Sequence, residues 1–243
     1  MRKGYGKILS LLECDYLRII RGDNYCAVRA PLYQSLVNDV INIKLGHDLE
    51  KITQVPDWFI SSGYHWVSDW SFAHRFGDVK NTVQTMKHCL RVLEEQILLV
   101  RNTAVPADRE TLILDAFNTT ETDLYLVEAV KILMLYNAIR LYEDNTTGKE
   151  VPVFVWLMYA RDSSSNPQQL MRNHLNSVGD SAGVEQVEMF LMGYTLGVTL
   201  KVVRPSQVEK DDFITYYPDD HFHDWNKVVL IAEDDRHYNI ALN

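Results

Sequence analysis

Three residue types that together can carry out acyl transfer stand in suitable local settings in this chain. Cys26 ends the run Arg21-Gly22-Asp23-Asn24-Tyr25-Cys26. Gly22, Asp23 and Asn24 are turn formers, and the periodic apolar residues that follow predict a helix over 26–43. A thiol at a helix start meets the positive end of the macrodipole and unpaired N–H groups. Both favour thiolate, and the same N–H groups can donate to an oxyanion. At the other end, 228–233 reads as a buried strand, followed by the acidic turn Asp234-Asp235 and a second apolar stretch. On a strand, His237 and Asn239 share a face because side chains alternate with period 2. Asparagine can accept the ring N–H of the histidine and hold its other nitrogen toward a thiol, a recognised variant of the nucleophilic triad.

Other His and Cys groupings read as structural. His174-Leu175-Asn176 repeats the His-x-Asn spacing, but 168–178 predicts a helix, where two residues span about 200°. His88-Cys89 lies inside a predicted helix over 79–101, where neighbours diverge by about 100°. His221-Phe222-His223-Asp224 sits in a Pro/Asp-rich loop with no further ligand in register, so no metal is expected there. No phosphate-cradling or dinucleotide loop occurs, and no cofactor is expected.

The motifs Arg-Gly-Asp-Asn-Tyr-Cys (21–26) and Asp-Asp-Arg-His-Tyr-Asn-Ile (234–240) resemble those of the OTU deubiquitinases, and within them the OTULIN branch. The resemblance runs on through 128–135, 148–162, 170–176, 185–191 and 213–215, and thins between about 45 and 120. It implies a papain-like OTU fold and a cysteine peptidase that hydrolyses linear, head-to-tail polyubiquitin. Cys26 is then the nucleophile, His237 the base and Asn239 its orienting partner. Asp23 belongs to the catalytic loop, where it shapes the turn. The oxyanion is met by the N–H of Cys26 and by backbone N–H of the Asp23 loop. Asp234 restrains the histidine until substrate arrives. Leu157 and Asp212 contact the distal ubiquitin. Pro31, inside the nucleophile helix, departs from the family pattern and removes a bond to Ala27. The segments that touch the proximal ubiquitin and recruit the linear-ubiquitin ligase would lie before Met1, and a PDZ-type tail is missing after Asn243, so ligase recruitment does not follow from the resemblance. The alternatives are a ubiquitin-chain binding protein without turnover, or an OTU enzyme of broader linkage specificity.

The elements around these residues agree with such a site. Amphipathic helices are expected over 79–101 and 121–142 and a further helix over 184–194. Periodicity does not assign the apolar run 151–159, but Pro152 favours a helix with that proline at N1. Strands over 197–204 and 213–217 complete an α+β fold with a helical lobe on a small, mostly antiparallel sheet. With 243 residues, 47% of them hydrophobic, one domain over 1–243 can bury a full core. The formal charge of −9 opposes nucleic-acid binding and suits a partner rich in Lys and Arg, as ubiquitin is near its tail. No apolar run reaches membrane-span length, and the N-terminus lacks the apolar region of a signal peptide. Three cysteines without a CxxC fit a reducing cytoplasm.

Overall fold

A computed structural model describes residues 6, 12, 14, 16–47, 49–210, 212–233 and 237–242. Strand β1 (Tyr16–Arg18) leads into the turn at residues 22–25 and helix α1 (Cys26–Val37). α1 ends earlier than the apolar periodicity predicts. Asn38 N–H caps it by donating to the Gln34 carbonyl, and Asp39 N–H donates to the Leu36 carbonyl. Asp39 itself adopts φ +52°, a left-handed conformation that Asp tolerates and a helix does not. Pro31 sits within α1 without interrupting it.

Four further helices build the lobe: α2 (Val55–Ser61), α3 (Thr82–Arg101), α4 (Pro106–Asn118) and α5 (Thr120–Thr146). α3 is amphipathic as predicted, burying Met86, Cys89, Leu90, Leu93, Ile97 and Val100, and Asn81 caps its N-terminus by accepting from Gln84 N–H. α5 differs from its expected amphipathic form. Apart from half-buried Tyr125, it is buried from Asp123 to Ile139, Glu128 and Lys131 included, because α1, α3, α4 and α8 pack around it. Thr119 gives α5 no side-chain cap; its hydroxyl donates back to the Asp115 carbonyl.

Next come α6 (Val153–Tyr159), α7 (Pro167–Asn173) and α8 (Gln186–Leu196). Pro152 is the N-cap of α6, one position before that expected. The predicted helix over 168–178 breaks at His174 (φ −120°, ψ −68°) and resumes as the 3-10 turn Leu175–Ser177. α8 stops at Gly197, whose φ is +67° and where a Cβ would lie 2.2 Å from the Asn42 carbonyl oxygen.

The sheet adds β2 (Thr199–Val203), β3 (Ile214–Tyr217), β4 (Lys227–Ala232) and β5 (Tyr238–Leu242), in the order β1-β5-β4-β2-β3. Among the described strands of this sheet, β2 and β4 are the parallel pair and the other neighbours are antiparallel. α1 packs on β4 and β5. Gln34 ties them together by donating to the Ala241 carbonyl and accepting from Val229 N–H. The C-terminal half of α1 is thereby held against the end of β5 and the middle of β4. Among the described residues, no helix is long and apolar enough to cross a membrane.

Candidate active site

Cys26 is the first residue of α1 and is buried. His237 stands one position before β5 rather than within it. It closes the β4–β5 connection, where Glu233 N–H donates to its carbonyl at 3.1 Å. The sheet then supplies the imidazole with a partner. Ile20 N–H donates to Asn239 Oδ1 at 2.8 Å, and that bond fixes which end of the amide is oxygen. His237 Nε2 lies 3.1 Å from the same Oδ1 and therefore carries the proton, leaving the lone pair on Nδ1. The Cε1–Nδ1 edge faces the turn before Cys26: a Cβ on Gly22 would sit 3.9 and 4.0 Å from these atoms. The backbone N–H of Tyr238, the residue after His237, hydrogen-bonds toward the Cys26 sulfur. Residues 26 and 237–239 thus meet at one place. β1 and β5 are paired antiparallel, which brings Ile20 to Asn239.

Burial is the largest influence on the thiol and raises its pKa above the ordinary cysteine value. The Tyr238 N–H and the Arg29 charge favour thiolate, whereas Asp23 opposes it. Desolvation therefore outweighs the helix-start effect expected from sequence. The N–H of Cys26 donates to the Asp23 carbonyl at 3.0 Å, so the donor expected for an oxyanion is engaged in the turn.

The Asp23 side chain organises that turn. Its Oδ1 accepts from Tyr25 N–H at 3.0 Å, an Asx-type closure. Arg29 Nη1 and Nη2 bind its two oxygens at 2.7 and 3.1 Å, with Arg75 at 3.1 Å and Arg21 Nε at 3.2 Å from Oδ2. Burial pushes the Asp23 carboxyl up, but Arg29 and Arg75 overcome it, and the group ends below its ordinary pKa.

Tyr25 anchors the other side. Fully buried, it donates through its hydroxyl to Glu128 Oε1. Glu128 also accepts from Lys131 Nζ at 2.6 Å and Trp70 Nε1 at 3.1 Å, and Lys131 reaches the Val178 carbonyl at 2.9 Å. Asn24 Nδ2 bonds the Asp180 carbonyl at 2.7 Å. The turn before Cys26 is thus docked on the 178–180 turn. Sequence reasoning did not identify Arg29, Arg75, Asp123, Glu128 or Lys131. The readable signal was a Glu and a Lys three apart inside the apolar run 124–135, a spacing at which a buried pair can form.

Leu157 is exposed on α6 and lines a recess of about 400 Å3 with Val153, Phe154, Phe190, Asp219 and Asp220. Asp212 is exposed just before β3. Neither belongs to the Cys26–His237 cluster. Asp234 lies outside the described residues. His174 Nδ1 lies 3.3 Å from Glu188 Oε1 while Asn176 turns to Ser71 and Asp69, so that second His-x-Asn pair diverges. His174, Glu185 and Glu188 could converge on a metal, but Arg161 already bonds both carboxylates, at 3.0 and 2.7 Å. His221 stacks on Trp225, with ring centroids 3.7 Å apart.

The fold is that of solved OTU structures. A complex of h/ceOTUB1 with ubiquitin aldehyde and UBCH5B~Ub matches with a TM-score of 0.59 at 13% identity, covering 99% of this chain and 81% of that one. A ceOTUB1 complex with ubiquitin aldehyde and UBC13~Ub matches equally, covering 84% of its chain. Fold likeness and a thiol at the start of α1 are the features of a cysteine peptidase. A family model spans residues 1–242, and the chain belongs to peptidase family C101.

Proposed function

We propose that the chain, acting as one catalytic domain in a reducing cytoplasm, hydrolyses linear polyubiquitin with Cys26 as nucleophile, His237 as general base and acid, and Asn239 as its orienting partner. The observation that carries this reading is the Ile20–Asn239–His237 hydrogen-bond chain, which leaves the imidazole lone pair on the edge facing the Cys26 turn. Because burial raises the thiol pKa, Cys26 needs a base. His237 takes the proton as Cys26 attacks the ubiquitin C-terminal carbonyl, then returns it to the leaving amine. Each preorganised oxyanion donor contributes about 3–4 kcal/mol. For Cys26 N–H to serve as one, it must exchange the Asp23 carbonyl for the substrate oxygen.

Ubiquitin is the substrate in this reading. The solved structures of similar fold are complexes containing ubiquitin. The α6 surface, with Val153, Trp156 and Leu157 each more than half exposed beside Asp219 and Asp220, suits an apolar patch bordered by basic residues. Asp212 adds a second acidic contact at the start of β3. The preference for head-to-tail linkage rests on resemblance in the two end motifs, with Asp234 as the residue that withholds the histidine until the proximal ubiquitin arrives.

Incubating the protein and its Cys26→Ala variant with linear and Lys-linked diubiquitin tests the reading. Cleavage of the linear dimer alone, abolished by the substitution, is the expected result. Equal cleavage of all dimers removes the linkage assignment. Binding without cleavage by either form leaves a ubiquitin-chain binding protein.

A further inference from the structure

We propose that Arg29 is a positioning residue for the deubiquitinase reaction, its guanidinium clamping Asp23 to Asp123 so that the Gly22–Cys26 turn presents the thiol to His237. This rests on Cys26 being the nucleophile.

Arg29 lies one helical turn beyond Cys26 on α1, is almost fully buried, and does not reach the surface where substrate would lie. Its Nε and Nη2 bind the two oxygens of Asp123 at 2.6 and 2.9 Å. Its Nη1 and Nη2 bind the two oxygens of Asp23 at 2.7 and 3.1 Å. One planar group thus holds two carboxylates, each through a fork. Asp123 is fully buried at the start of the central helix α5 and is also bound by Arg21. It ties the clamp to the most rigidly enclosed part of the core.

Asp23 transmits the restraint. Its carboxylate receives Tyr25 N–H and its carbonyl receives Cys26 N–H, so moving Asp23 moves the peptide units that lead to the sulfur. Gly22, immediately before it, faces the His237 ring. The clamp therefore sets the spacing between thiol and imidazole from a residue that touches neither reacting group. Arg29 also compensates the Asp23 charge, which otherwise disfavours thiolate.

Lysine cannot reproduce the geometry, because an ammonium is a point charge without the planar fork. Arg29→Lys is expected to lower kcat at least tenfold on a fluorogenic ubiquitin C-terminal amide, with KM changed less than twofold. It is also expected to move the pH midpoint of Cys26 alkylation by iodoacetamide upward. Lower stability alone would not move that midpoint in protein that stays folded by circular dichroism. Asp23→Asn serves as the second variant, keeping an acceptor for Tyr25 N–H and removing the charge. It is expected to lower kcat while shifting the alkylation midpoint downward. If Arg29→Lys folds, unchanged kcat and midpoint overturn the inference. If it does not fold, an unchanged kcat in Asp23→Asn overturns it. Turnover surviving in Cys26→Ala would instead refute the nucleophile assignment.

Discussion

Replacing Gly179 with alanine should damage stability and catalysis together, and the structure allows the size to be worked out. Gly179 has φ +91°, and a Cβ there would fall 1.9, 2.2 and 2.4 Å from Cζ, Cε1 and Cε2 of Tyr25. Ordinary contact begins near 3.4 Å, so the ring must retreat by roughly 1.5 Å (3.4 minus 1.9). It has nowhere to go. Tyr25 is fully buried, its hydroxyl is held by Glu128, and Arg75 and Lys131 lie against its ring at 5.5 and 5.4 Å. Overpacking typically costs about 1–3 kcal/mol, the positive φ adds about 1–2, and a lost hydrogen bond to a carboxylate adds about 1.5–3. Partial relaxation makes the sum sub-additive, and a destabilisation of about 3–5 kcal/mol is expected. Chain length converts that to a fall in Tm of roughly 10 °C. Tyr25 directly precedes Cys26, so displacement of the ring reaches the sulfur. A misplacement of about 1 Å can reduce turnover about 100-fold. Calorimetry and turnover of a fluorogenic ubiquitin amide are the assays. A Tm within about 2 °C of wild type, or wild-type kcat in the folded variant, would refute the reasoning that this glycine seats the nucleophile turn.

The buried pair Glu128–Lys131 should behave as a unit. Lys131→Met is expected to cost about 3–5 kcal/mol by leaving a buried carboxylate uncompensated. Adding Glu128→Gln should recover part of that loss, as read by denaturant unfolding, whereas additive losses would argue against the pairing. Leu157→Asp on the exposed α6 surface should raise KM for the ubiquitin substrate about tenfold with kcat and Tm unchanged, and an unchanged KM would remove α6 from ubiquitin binding. Acid sensitivity follows from Asp23, whose pKa is depressed in the folded protein. Its contribution to stability is complete above the unfolded carboxylate value of about 3.9 and is lost as pH falls through the lower folded value. Asp23→Asn should therefore flatten the acid limb of a Tm-against-pH curve, and an identical limb would count against this linkage.

The proposed catalytic residues were legible in the sequence because their chemistry is carried by residue type and local setting. Gly22-Asp23-Asn24 before an apolar period announces a turn entering a helix at Cys26, and two apolar, β-branched runs joined through Asp234-Asp235 place His237 and Asn239 near a strand start. The helices α3 and α8 were readable from spacing, and the order of helices before strands gave the α+β class. Three things were not. The end of α1 at Val37 depends on a left-handed Asp39, a state that periodicity does not encode. His174, where α7 breaks, meets Glu188 on a different helix, a long-range contact that local spacing does not encode. Arg29 and Asp123 look like solvated charges in a linear chain, and although the spacing of Glu128 and Lys131 in an apolar run hints at a buried pair, composition carries no record of which charges will be desolvated together.

What sequence alone determined is therefore the set of candidate reacting groups and the local turn that holds each. Tertiary structure decided how they are aimed: β1 pairing with β5 delivers Ile20 N–H to Asn239 and so selects the histidine tautomer, while α5 supplies the buried charges that fix the nucleophile turn. Covalent identity and near-neighbour conformation are local properties, but burial and hydrogen-bond partnership arise only when distant segments exclude water between them.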